Sequence, residues 1–297
     1  MDSVIDYGSD AEKALDLGHI RFQLIASTHP SKPPRRHHCL SPHRESAVCT
    51  QQGMYKEYSN LLYIVYLSPN TLLIGPQTIY TPGALQIPNS NLSFFDWYMG
   101  EQERLQSLIR RFESPDEYPF FPDAIQQPIL KPLHYPKVLH KNDVVVNDEI
   151  KKFYIEKFLP AVCPDFGHDD RGESQENYGS SATCDIACLQ ALSRRIHYGK
   201  FVAESKFRSD PEKYTRLIKA EDRAGIADAI TNKAVEETIL DRLKLKAMTY
   251  GQDPSVKDDP DSHVKIDGDA VAAMYREYVI PLTKDVEVEY LMQRLDE

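Results

Sequence analysis

Gly179 to Phe207 reads GSSATCDIACLQALSRRIHYGKFVAESKF. From Thr183 onward Ile186, Leu189, Leu192, Ile196 and Val202 recur at steps of three, four and six, which stacks them into one apolar stripe of an α-helix. The same stretch sets Arg195 and Lys206 eleven residues apart, close to three full turns, so they share a face about 16 Å apart along the axis. Long cationic side chains at that spacing can grip the two ends of a small anion.

Working outward, similar periodicity predicts a second helix from about Ile226 to Tyr250 and a third from about Asp269 to Leu295. Pro281 falls inside the third and should kink it or divide it in two. Asn232 and Glu236 are spaced i, i+4, as are Thr283 and Glu287, so each pair projects from one helix face. Three helices carrying matched polar pairs imply a pocket inside a helical bundle. The alternative is that all of these are solvated surface residues with incidental salt bridges. Pro164 to Tyr178 and Gly251 to Gly268 read as loops, and six prolines in the 22 residues from Pro115 to Pro136 predict an extended crossing segment.

Composition narrows the function. A net charge of −10, from 35 Lys+Arg against 45 Asp+Glu, disfavours an unspecific nucleic-acid binder. With 41% apolar and 27% charged residues, the chain reads as a globular protein of 297 residues. Five cysteines without framework spacing fit a reducing compartment, and the acidic start MDSVIDYGSD lacks the apolar core of a signal peptide. The most apolar run, Leu61 to Gly75, is broken by Ser68-Pro69-Asn70 and falls short of the ~20 residues that span a bilayer, so no membrane segment is expected. Dinucleotide, P-loop, zincin and nucleophile-elbow motifs are absent, which weakens cofactor and nucleotide chemistry. His37, His38, Cys39, His43 and Cys49 carry zinc-preferred groups, but their spacing fits no common zinc module and no metal is expected.

Residues 26 to 78 do not match their surroundings. They hold four of the ten His, two of the five Cys and six of the 20 Pro, with five Lys/Arg against two Glu. The first half, through STHPSKPPRRHHCLSPHRES, has no usable periodicity and reads as disordered.

The Gly179 to Phe207 run, with RRFESPDEYPFFP (Arg110 to Pro122), ITNKAVEETIL (Ile230 to Leu240) and the C-terminal YVIPLTKDVEVEYLMQRL, resembles the eukaryotic, fungal-type chorismate mutases of the all-helical class. The likeness covers Ile79 to Glu297 and ALDLGHIRFQLI (Ala14 to Ile25). It implies an all-α, single-domain, dimeric cytoplasmic isomerase that converts chorismate to prephenate on the route to phenylalanine and tyrosine. The reaction is an intramolecular [3,3] rearrangement, so it implies no cofactor and no metal.

Residue by residue, the resemblance assigns Arg21 and Arg195 to the substrate carboxylates and Lys206 to the ether oxygen that becomes electron-rich. Asn232, Glu236 and Thr283 match positions for the substrate hydroxyl and its surroundings. Glu287 matches the acidic position facing the ether oxygen, where only a protonated carboxyl can donate. Arg110 and Arg111 match effector-binding arginines, and Asn177, Gly179, Ser180 and Thr183 match the loop and helix start completing that site. A helix N-terminus there suits an amino-acid carboxylate, with Ser180 or Ser181 as its N-cap. In relatives tyrosine inhibits and tryptophan activates through a homodimer.

After HIRFQLI the family continues its first helix, whereas this chain departs at Ala26 and rejoins at IYTPGALQIP (Ile79 to Pro88). The departure has the borders of the composition shift, as expected of an altered gene model; a lineage-specific insertion is the alternative. A chain so altered could instead be a catalytically impaired helical regulator that binds an aromatic amino acid or a partner subunit.

Overall fold

The computed structural model describes residues 77–162, 178–250 and 268–296. Arg21, Asn177, the His/Cys cluster, and all but the last two residues of the 26 to 78 segment lie outside the described residues. So do both predicted loops, except for Tyr178 and Gly268, which begin helices. Among the described residues the chain is helical, and its strand-like pairing is one isolated bridge between Ile87 and Ser90.

Helix α1 (Phe94–Leu108) starts where the Ser93 hydroxyl accepts the Asp96 N–H at 3.0 Å, and it buries Phe95, Met99, Glu103 and Ser107 at steps of four. It stops at Arg110, whose left-handed backbone (φ 71°) turns the chain into the proline-rich crossing segment. That segment has little backbone pairing, as its prolines dictate, and is fixed by side chains instead. The fully buried Glu103 carboxylate accepts the N–H groups of Phe120 and Phe121 at 3.1 and 2.9 Å.

Helix α2 (Asn147–Phe153) passes through a π turn (Tyr154–Phe158) into α3 (Leu159–Val162). The C-terminal unit repeats this device, with α9 (Gly268–Met274), a π turn (Tyr275–Val279) and α10 (Ile280–Met292). In both places a proline, Pro160 or Pro281, follows the wide turn by two residues. A proline cannot donate to the carbonyl four residues back and crowds it, and the wide turn relieves both problems. The kink or division expected at Pro281 takes the form of the second π turn within a run that stays helical from Gly268 to Met292, stopping short of Leu295.

Between these units lie α4 (Tyr178–His197), α5 (Gly199–Ser209), α6 (Pro211–Lys219), α7 (Arg223–Ile230) and α8 (Lys233–Tyr250). The helix expected over Thr183 to Phe207 is split at Tyr198, but the backbone stays right-handed there, and the 3.0 Å bond from Phe201 N–H to the Tyr198 carbonyl only tightens one turn. Its stripe is core through Ile186, Leu189, Leu192 and Ile196, all buried, whereas Val202, beyond the split, is only partly buried. The helix expected over Ile226 to Tyr250 requires a larger correction, because Thr231 is extended and separates α7 from α8. A third correction concerns Ser180 and Ser181, which fall in the first turn of a helix already begun at Tyr178 and are not its N-cap.

Two apolar clusters form the core. The larger joins Ile79, α1, α2, α4, α8 and α9; the smaller joins Phe207, Tyr214, Ile218, Ile226, Ile230 and Leu291 from α5, α6, α7 and α10. Helices α5 and α10 are locked by Glu204, 1% exposed, which accepts from the Tyr290 hydroxyl, Arg294 Nε and Arg208 Nε, each at 2.7 Å. Burial alone would raise this carboxyl, yet the bonds from Arg294, Tyr290 and Arg208 hold it below the usual range. The lock sets the register of Lys206 on α5 against Glu287 on α10.

Candidate active site

Gly199 lets α10 come close to the start of α5. A Cβ there would lie 3.0 Å from the Thr283 carbonyl and 3.1 Å from Glu287 Cγ, so a larger residue would push the helices apart. The close approach buries Glu287 to 7% exposure beneath Lys206, whose Nζ stands 3.8 Å from Glu287 Oε2 and donates to the Ile230 carbonyl.

Arg195 on α4, Lys206 on α5 and Lys284 on α10 all place positive charge toward Glu287, with the Glu236 carboxylate of α8 opposing them. Burial dominates, and the Glu287 carboxyl is pushed up to about 7. Lys206 is moved down, chiefly by burial, while the Glu287 and Glu236 carboxylates resist the shift. Below a pH of about 7 the arrangement sets a neutral acid beside the Lys206 ammonium, two hydrogen-bond donors on one side of the site.

Asn232 sits at the start of α8 rather than on its face. Its Oδ1 accepts the Val235 N–H at 3.3 Å and its carbonyl accepts the Glu236 N–H at 3.1 Å. Glu236, one turn on, pairs through Oε1 with Lys284 Nζ at 2.9 Å, bridging α8 and α10. The Thr283 hydroxyl donates to the Val279 carbonyl at 2.6 Å, inside the π turn. Lys206, Glu287, Glu236 and Thr283 are thus gathered by α5, α8 and α10, with Arg195 acting from α4. Lys284 and Gly199 were missed from the sequence. Lys284 had a usable signal, because it lies three residues before Glu287 on the same helix face.

The second set of residues is not gathered. Arg111 donates Nε and Nη2 to Glu117 Oε2, both at 3.1 Å, and the buried Glu117 also accepts from Arg194 Nη1 at 3.0 Å. Arg110 Nη1 donates to the Lys131 carbonyl at 2.6 Å. Thr183 instead meets the Tyr98 hydroxyl at 3.1 Å, with Gly179 and Ser180 exposed beyond it. Gln190 meets Gln106 at 2.9 Å, so α4 and α1 run side by side in one direction. Leu108, where α1 ends just before Arg110 and Arg111, is ten residues beyond Tyr98, about 15 Å along that direction, so one chain holds the two groups at opposite ends of α1.

Among the described residues, an all-helical scaffold gathers cations around a buried acid, an arrangement that suits holding a small anion by positioning and charge. The comparisons with known proteins agree. Residues 177–288 match the family model of chorismate mutase type II. The chorismate mutase of Trichoderma parareesei is 61% identical over 295 residues, covering 99% of this chain and 98% of that one. That of Saccharomyces cerevisiae is 52% identical over 218 residues, 73% of this chain and 82% of the relative. Among solved structures, Aro7p chorismate mutase from Candida albicans in complex with L-Trp superposes with a TM-score of 0.75 at 38% identity, covering 98% of this chain and 96% of that one. AtCM1 with tyrosine bound in its allosteric site gives 0.72 at 37% identity, covering 84% and 96%. The chain belongs to the chorismate mutase family.

Proposed function

We propose that this chain converts chorismate to prephenate in the pocket formed by Arg195, Lys206, Asn232, Glu236, Thr283 and Glu287, with Arg21 completing it. The ether C–O bond breaks as a C–C bond forms within the same molecule, and no proton or electron leaves. The demand on the protein is to hold a flexible dicarboxylate compact and to stabilise charge on the ether oxygen. Arg195 and Arg21 take the carboxylates, Lys206 and neutral Glu287 face the oxygen, and Asn232, Glu236 and Thr283 orient the hydroxyl side. The observation that carries this reading is the buried Glu287 carboxyl beside Lys206, a costly pairing with no packing purpose. The test is chorismate turnover by the full chain. Formation of prephenate supports it, whereas a folded protein that binds tyrosine and leaves chorismate unchanged is the regulator instead.

The same reading assigns the second set to an effector site for tyrosine as inhibitor and tryptophan as activator, in a cytoplasmic homodimer. Two observations support it. Within one chain Arg110 and Arg111 follow the C-terminal end of α1 while Thr183 meets its first turns at Tyr98, about 15 Å from that end, so this reading joins the two groups through a second copy. Around the arginine end, Leu105, Ile109 and Ile129 expose 60%, 58% and 75% of their surface, an apolar collar suited to a subunit interface. Tyrosine is expected to raise the half-saturating chorismate concentration of a dimer by roughly five-fold or more, and Arg111→Ala to abolish that response. Light scattering with kinetics checks both, and a monomer that responds to tyrosine contradicts the shared site.

A further inference from the structure

Lys284 is the charged group of the pocket for which the proposed chemistry has no role. Its Nζ lies 2.9 Å from Glu236 Oε1, and both side chains are largely sheltered, at 31% and 24% exposure. The pair ties α8, which carries Asn232 and Glu236, to α10, which carries Thr283 and Glu287. Lys284 also precedes Glu287 by three residues, the spacing at which helix side chains are neighbours.

Resting on the mutase reading above, we propose that Lys284 is a positioning residue of the reaction: it fixes the Glu236 carboxylate at the substrate and keeps that negative charge from acting on Glu287 uncompensated. The first part follows from geometry. An unpartnered glutamate at the first turn of α8 has several rotamers, and the ammonium 2.9 Å away selects one. The second part follows from charge. Lys206 from α5, Arg195 from α4 and Lys284 from α10 each favour the ionised form of Glu287, Glu236 from α8 favours the neutral form, and Tyr214 of α6 also lies within the field of Glu287. Removing the Lys284 charge takes away one stabiliser of the anion and unmasks Glu236, and both changes raise the pH at which Glu287 ionises.

The experiment compares pH profiles of kcat/KM for the wild type, Lys284→Met, Lys284→Arg and Glu287→Gln, each as the full chain. Methionine keeps the length and removes the charge; arginine keeps the charge. The expected result is an alkaline limb that moves up by about half a pH unit in Lys284→Met, with KM several-fold higher, and returns toward wild type in Lys284→Arg. A wild-type limb that disappears in Glu287→Gln but stands still in Lys284→Met, with unchanged KM, overturns the role of Lys284 alone. A wild type with no limb overturns the reading of Glu287, and KM in Lys284→Met then decides the role of Lys284, an unchanged value refuting it.

Discussion

Arg195→Ala is expected to lower kcat/KM for chorismate by about a thousand-fold, which corresponds to roughly 4 kcal/mol of transition-state stabilisation. The reasoning begins with the substrate. Two carboxylates must be held while the molecule adopts its compact reactive shape, and a guanidinium can bind both oxygens of one of them in a fixed plane. Lysine at this position would keep the charge and lose the fork, so Arg195→Lys should recover only part of the activity. The Arg195 side chain rises from α4 one residue after Arg194, which is anchored to buried Glu117. That anchor holds the helix end in place, so the alanine variant should fold normally. Steady-state kinetics with a thermal unfolding curve checks the prediction, and a loss below ten-fold in a folded variant contradicts the assignment.

Glu287→Gln is expected to remove the pH dependence of the reaction. The folded-state carboxyl of Glu287 is raised to about 7, with burial as the largest cause and Lys206, Arg195 and Lys284 opposing it. The acid is therefore neutral and able to donate below about 7, and it becomes an anion that repels the developing oxyanion above it. Wild-type kcat/KM should be high on the acid side and fall about ten-fold per pH unit on the alkaline side. Glutamine donates its N–H at any pH, so the variant should stay active at alkaline pH, where the wild type fails. The same shift contributes stability that is complete below the unfolded carboxyl value and is lost as pH rises through about 7. Parallel profiles in the two proteins would refute the neutral-acid role.

The helical architecture was legible in the sequence wherever one apolar stripe faced one core. Ile186, Leu189, Leu192 and Ile196 form such a stripe, and α4 follows it. Periodicity did not reveal the break at Thr231, because α7 and α8 carry compatible patterns and the signal is a local one, with an extended residue before an asparagine that caps the next turn. The Asn232 and Glu236 pair was consequently placed on a helix face when Asn232 belongs to a helix start. Site chemistry was less legible. Glu117 lies in the proline-rich crossing segment and Glu103 of α1 binds its backbone, where contacts have no sequence period, and no local pattern shows that Glu236 of α8 stands opposite Lys284 of α10. Residues 26 to 78 we propose to be foreign to the family's first helix, on composition and on the break in the pattern.

The central claim is that positioning and charge in this pocket suffice for the rearrangement. It is tested most directly by incubating chorismate with the full 297-residue chain after dialysis against a chelator, and following loss of chorismate beside gain of prephenate. The account predicts one prephenate for each chorismate consumed, at a rate proportional to protein and unaffected by the chelator. A folded chain that produces no prephenate, or only when a metal ion or cofactor is restored, contradicts it.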